Sequence, residues 1–331
     1  MQRLRFVVRN EILDPALSAK FANMGFVCAC LVVCIHSGNF LGSLTRVAVP
    51  FFFLCSGYML ARHVAETGWY GRELKKRIRS VLIPYLCWCL VPALLLLPFS
   101  VLADMQAGRP FGTSVAIVSH PLQVFGLLPN EWPINTPLWY LRTLMFLVLL
   151  APAFNWIVAC LGWLWIGLLF GCELLSAAGI LPTYWGSSLL PIMGMLYFSL
   201  GWILRVRVSP ERVMARSWWW WGGGGACAGL ALLICGGKFA VVVAIPFIML
   251  AMWQIMPAKR LPEWLLSGTF LIFVSHMMVL NLFQMVFRRV SLPIVVEWIV
   301  GWGGAICIIL LLNHVLRTSM PRVVSVLCGG R

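Results

Sequence analysis

Val32-Val33-Cys34-Ile35-His36-Ser37, followed shortly by Arg46-Val47-Ala48-Val49-Pro50-Phe51-Phe52-Phe53-Leu54-Cys55-Ser56-Gly57-Tyr58, decides how this chain is read. An apolar run closes on an ionisable histidine, turns with a single arginine, and returns as a second apolar run. Each run is about the length that crosses a bilayer as a helix. A histidine near the end of such a run is costly to keep in hydrocarbon, so it needs a partner or a function.

The pattern repeats along the chain. Of 331 residues, 61% are hydrophobic and 11% charged, against about 25% charged in a soluble domain. The sequence therefore predicts an all-α, polytopic transmembrane helix bundle. About ten spans are expected, over 21–40, 44–61, 80–103, 138–159, 163–180, 189–204, 218–236, 239–256, 264–287 and 292–316. An even number of spans puts both termini on one side. That side collects 19 of the 25 Lys and Arg residues, which makes it cytoplasmic. Arg288 and Arg289 are the exceptions that strain this assignment. The organisation expected is a basic N-terminal segment (1–20), a membrane domain (21–316) with an outer cap (104–137), and a cytoplasmic tail (317–331).

The formal charge of +15 does not point to nucleic acid. Basic residues cluster between apolar runs without the aromatic interleaving of single-strand binders, so the expected partner is anionic membrane lipid. Trp218 to Trp221 beside Arg216 read as an interfacial aromatic belt. The twelve cysteines lie almost entirely inside apolar runs, where they read as small packing residues. Cys28, Cys30 and Cys34 precede His36 without a CxxC pair, and no metal site is expected.

A neutral imidazole can take a proton from a hydroxyl, which makes His36 a candidate general base. The plainer alternative is a helix-packing histidine. The same two readings apply to His276, in the middle of a later span. Glu173 lies inside the expected fifth span, where a carboxylate serves either a proton or ion site or an interhelix pair. Arg142 follows Pro137-Leu138-Trp139-Tyr140-Leu141 at an expected outer mouth. Lys75, Lys76, Arg77 and Arg79 form the densest basic patch, which fits lipid headgroups or the phosphates of a cytosolic donor.

In this order the motifs resemble the acyltransferase 3 family, multispan bacterial enzymes that O-acylate surface carbohydrates and related acceptors. The matching pieces are the two stretches quoted first, Lys75-Lys76-Arg77-Ile78-Arg79-Ser80-Val81-Leu82-Ile83-Pro84-Tyr85, Pro137 to Arg142, and Ser267 to His276. The resemblance implies that His36 is the catalytic histidine and that Lys75, Lys76, Arg77 and Arg79 hold acyl-CoA, usually acetyl-CoA, as co-substrate. It further implies a bacterial cytoplasmic (inner) membrane location. Arg142, Tyr140 and Ser56 are candidates to stabilise an oxyanion, Glu173 joins the catalytic set, and Arg46, Ser56, Trp139 and His276 are candidates to bind the acceptor. That acceptor is expected to be a surface carbohydrate or a lipid-linked sugar. One departure stands out: members commonly carry an arginine about three helical turns before the histidine, and Gly25 or Phe26 holds that place here. A transporter or flippase of an amphiphilic glycan precursor is the rival reading, suggested by the many spans and by Glu173. The halves 1–160 and 161–331 show no repeat of the kind transporters carry.

Overall fold

The computed structural model describes residues 14–110, 119–128, 131–182, 188–208, 222–225, 229–230, 237–290 and 292–330. Asp14 starts the first helix, its carboxylate accepting from the Ala16 N–H at 2.8 Å with Pro15 directly after it, a cap followed by a residue that lacks the N–H a first turn cannot use. This helix, α1 (Pro15–His36), begins earlier than the expected boundary and carries Lys20 inside it. A turn and a 3₁₀ helix of about two turns (Gly42–Val47) lead into α2 (Ala48–Leu60), which runs back. Six helices or joined helices are long and apolar enough to cross a membrane, counted among the described residues. They are Pro15–His36, Gly42–His63, Trp69–Gln106, Lys238–Ile255, Thr269–Phe287 and Ile294–Ser319.

The remaining expected spans differ in instructive ways. Residues 138–159 form two helices, α6 (Trp139–Leu149) and α7 (Ala151–Leu161), bent by 68°. Pro152 offers no N–H to the Val148 carbonyl, so the ladder breaks there. Helix α8 (Trp163–Ala177) has 15 residues and α9 (Ile192–Arg207) has 16, about 23–24 Å each. The expected span 218–236, with Trp218 to Trp221, falls mostly outside the described residues, as do Arg3, Arg5 and Arg9.

Helix α3 (Trp69–Arg77) continues through a π turn (Ile78–Leu82) into α4 (Ile83–Gln106). Pro84 leaves the Ser80 carbonyl without its usual donor, and the backbone widens there. The segment expected as an outer cap does more than cover the bundle. Its helix α5 (Pro121–Val124) buries Val124, and the next carbonyl, that of Phe125, accepts from the Tyr85 hydroxyl near the start of α4. Asn135 donates to the carbonyls of Val274 at 2.9 Å and Trp88 at 3.4 Å. Residues 124–126 and 133–137 thus insert between the helices, tied to each other by the Ile134 N–H on the Val124 carbonyl at 3.0 Å.

The remaining helices are α10 (Lys238–Ile255), α11 (Glu263–Leu266), α12 (Thr269–Phe287), α13 (Ile294–Ser319) and α14 (Pro321–Leu327). The tail folds back: Val324 and Cys328 are buried, and the Leu327 carbonyl accepts from the Trp88 indole at 3.0 Å. Helices α1 and α2 sit at the centre, each with 56% of its span buried, against 17% for the α3–α4 span and for α13. Leu94, Leu95, Leu96 and Phe99 of α4 and Leu311 of α13 point outward, as lipid-facing side chains should.

Helices α2 and α9 touch at backbone distance. A Cβ on Gly57 would lie 2.0 Å from the Phe198 carbonyl oxygen, and one on Gly201 2.0 Å from that of Leu54. Small residues permit such an approach between membrane helices. At the far end, Asn23 of α1 binds the carbonyls of Pro257 at 3.0 Å and Lys259 at 2.9 Å, and its Oδ1 accepts from the Leu261 N–H at 2.9 Å. These bonds fix the start of α1 to the connection after α10, so His36 lies at the opposite end of the bundle.

Candidate active site

His36 is the last residue of α1, and the turn after it is tightly specified. Gly38 has φ 122°, and a Cβ there would lie 2.2 Å from the Trp298 ring. Asn39 takes a left-handed φ of 52°, its side-chain oxygen accepting from the Thr45 hydroxyl at 2.9 Å, a conformation that asparagine tolerates best among residues with a Cβ. The indole of Trp302 on α13 donates to the Cys30 carbonyl at 2.8 Å. The imidazole is therefore placed by the end of a central helix and by two tryptophans of α13. The carbonyl end of α1 also faces any positive charge that develops on the ring.

Behind His36 stands His276 of α12, with ring centroids 5.2 Å apart. His276 is fully buried. Its Nδ1 lies 2.8 Å from the Phe273 carbonyl and 3.1 Å from that of Ile272, which puts the proton on Nδ1. Its Nε2 is then a lone pair, buried without a hydrogen-bond partner among the described residues. A buried acceptor left in this state is unfavourable, and the nearest imidazole able to relieve it is His36.

His36 opens into a cavity of about 240 Å³, whose wall includes Arg46, Thr136, Trp139, Tyr140 and Phe273. A cavity of about 470 Å³ approaches from the opposite end of the bundle, between Phe21, Gly25, Ser56, Arg77, Arg260 and Arg317. Tyr140 and Phe273 line both. These two rings are 5.5 Å apart and pack edge to face, with Phe52 at 5.8 Å from Tyr140 and 5.7 Å from Phe273. The partition is aromatic but not wholly apolar. The Tyr140 hydroxyl lies 3.1 Å from the Phe52 carbonyl, to which it donates, and 2.9 Å from the Ser56 hydroxyl.

The structure gathers some of the expected site residues and separates others. His36, Arg46, Trp139 and Tyr140 share one cavity, Ser56 and Arg77 line the other, and His276 lies behind His36. Lys75, Lys76 and Arg79 are exposed and do not line the second cavity; only Arg77 of that patch does. Arg142 is 2% exposed, and its guanidinium donates to the carbonyls of Gly126, Glu131 and Ser188. It ties Gly126, Glu131 and the entry to α9 onto α6, and it lines neither cavity. Glu173 is buried in a separate cavity that also takes in Arg46.

Arg260 and Arg317 are the residues that sequence reading passed over. They come from the connection before α11 and from the end of α13, and they meet Arg77 of α3 around one cavity. Arg317 also holds Asn313 and the Ser267 carbonyl, each at 3.1 Å. The wall at Gly25 is bare: nothing lies within 4 Å of where a Cβ would stand. Lys20, the nearest upstream cation, is turned away, its Nζ 3.1 Å from the Trp253 carbonyl. Positive charge at this mouth thus comes from three other elements rather than from α1.

A family model described as an acyltransferase domain matches residues 24–316. The chain belongs to the acyltransferase 3 family. Among curated proteins it is similar to the succinoglycan biosynthesis protein ExoH of Rhizobium meliloti (strain 1021), with 33% identity over 131 residues. The match takes in 34% of this chain and 30% of that protein, so the chain spans under a third of the relative's length. No solved structure matches it. Both quoted stretches, the basic patch, Pro137 to Arg142 and Ser267 to His276 fall inside the acyltransferase 3 match.

Proposed function

We propose that this chain is a membrane O-acyltransferase of the bacterial inner membrane. It moves an acyl group, acetyl in the simplest case, from cytosolic acyl-CoA to a hydroxyl of a surface carbohydrate or lipid-linked sugar. The observation that carries the reading is the pair of cavities from opposite ends of the bundle that share the Tyr140–Phe273 wall, with His36 on one side. The succinoglycan biosynthesis role named for the relative supports a carbohydrate acceptor.

In this mechanism Arg77, Arg260 and Arg317 receive the phosphates of acyl-CoA through charge-assisted hydrogen bonds. The thioester reaches toward Tyr140 while the acceptor hydroxyl enters beside Arg46 and Trp139. His36 takes the hydroxyl proton, and the oxygen attacks the thioester carbonyl. The carbonyl oxygen becomes an oxyanion that accepts from the Tyr140 or Ser56 hydroxyl. The C–S bond breaks, the ester forms, and the thiolate takes the proton that His36 removed. In this reading a small rotation of His36 brings its ring N–H to the unpartnered Nε2 lone pair of His276, which then orients the base, a task that other sites give to a carboxylate. Arg142 acts at one remove by holding the wall that Tyr140 stands on. Anionic lipid meets the exposed cations Lys75, Lys76 and Arg79.

Glu173, on which a transport reading partly rests, lines a cavity with Arg46 and Lys238 rather than the one at the Arg77 end. The test of the acyltransfer reading is mass spectrometry of surface glycans from cells carrying His36→Ala at equal protein level. Loss of the acyl ester is expected; undiminished acylation would remove His36 from the chemistry.

A further inference from the structure

Three cavities follow one another along the His36 end of the bundle. The first, about 450 Å³, lies between α12 and α13 and brings Gln284, Glu297 and Trp298 to one side of His36. The second is the 240 Å³ cavity already described, on the α2 and α6 side of the same ring. Arg46 belongs to its wall and also to that of a third cavity, about 470 Å³, faced by Glu173 and Lys238. His36 and Asn39 line the first and second cavities, and Arg46 joins the second to the third. The histidine therefore stands inside a row of spaces, not at the end of one.

We propose that the acceptor is an extended glycan lying along this row, so that the sugar acylated at His36 is an internal one with neighbours bound on both sides. This deepens the acyltransfer reading above and rests on it. A single sugar needs one such space, and an ordinary ligand pocket has about 300–1,000 Å³. The row offers more than that, with an amide, carboxylates and cations distributed along it. Sugar hydroxyls entering a protein must exchange water for protein hydrogen bonds, and these side chains supply them on either flank of the base. An acyl-chain acceptor has the opposite requirement, an apolar trough, which Glu173, Lys238, Gln284 and Glu297 make unsuitable.

The test uses the purified full-length protein and the deacylated exopolysaccharide of the producing cells, cut into fragments of increasing length. Affinity is expected to tighten with each added sugar until both flanks are filled. Gln284→Ala and Lys238→Ala change exposed residues on opposite flanks and keep the fold. Each is expected to weaken the longest fragment about tenfold, the effect of one hydrogen bond to a polar or charged side chain, and to leave the single sugar unchanged. Mass spectrometry of the product from wild-type cells should place the ester on an internal residue. Equal affinity for all lengths, no binding of any fragment, or an ester confined to chain ends would overturn the proposal. His36→Ala separates this from the underlying reading: it keeps the length dependence of binding and loses transfer in cells. Transfer that persists in that variant sinks the acyltransfer mechanism, whatever the binding data show.

Discussion

The two ends of the bundle meet at one aromatic wall and differ in the chemistry of their linings. At the Arg77 end, three arginines from separate elements, Arg260 paired with Glu263 at 3.4 Å, surround a cavity also lined by Phe21, Phe52, Leu141, Leu144 and Phe270. At the His36 end the lining is mixed throughout, with Arg46, Asn39, Thr136 and indole rings around the base. Concentrated charge at a mouth suits a multiply charged ligand that inserts a less polar arm. Dispersed polar groups suit a neutral, hydroxyl-rich ligand that stays near the surface. Under the proposed mechanism the two substrates are told apart by the chemistry of two openings that share, among the described residues, Tyr140 and Phe273.

The largest test of this division is His36→Ala, expected to lower transfer by about 10²–10⁴, the usual worth of a general base, while acyl-CoA binding is unchanged by calorimetry. Loss of donor binding in that variant would break the comparison. Arg260→Gln is expected to raise the KM for acyl-CoA about 10–100-fold, as for a lost charge-assisted hydrogen bond, with acceptor affinity unaffected. Lys75→Gln, outside the cavity, should leave that KM alone. Tyr140→Phe removes a hydroxyl from the shared wall and should lower kcat about tenfold with little change in either KM; a change confined to KM would make Tyr140 a binding residue only. The smallest effect is expected at Gly25→Ala, which fills open space in a helix and should raise stability by up to about 1 kcal/mol with transfer intact.

Much of this was legible in the residues. Apolar runs and charge clusters located most helices, and the order of motifs singled out His36 and its return helix. Local pattern could not show the 68° break after Leu149, because the length of the run hides the one missing N–H at Pro152. Nor could it show that Arg142 is enclosed by carbonyls of Gly126, Glu131 and Ser188; an arginine after an apolar motif reads the same whether it faces a substrate or a backbone. Arg260 and Arg317 are far from Arg77 in sequence, and their meeting leaves no trace in periodicity. Nor does the basic patch reveal its own orientation: Arg77 lines the cavity while Lys75, Lys76 and Arg79 are exposed away from it.

The Tyr140–Phe273–Phe52 wall also bears on the electrical balance of the reaction. In the proposed reaction, carrying an acyl group outward and returning the hydroxyl proton to the thiolate moves no net charge across the membrane. Releasing that proton outward instead makes each turnover carry one charge, at about 2.3 kcal/mol per 100 mV. The Ser56 and Tyr140 hydroxyls, 2.9 Å apart, supply a route inward through an otherwise aromatic barrier. Turnover in sealed vesicles should then ignore an imposed voltage, and a Tyr140→Phe enzyme, with that route cut, should become sensitive to it.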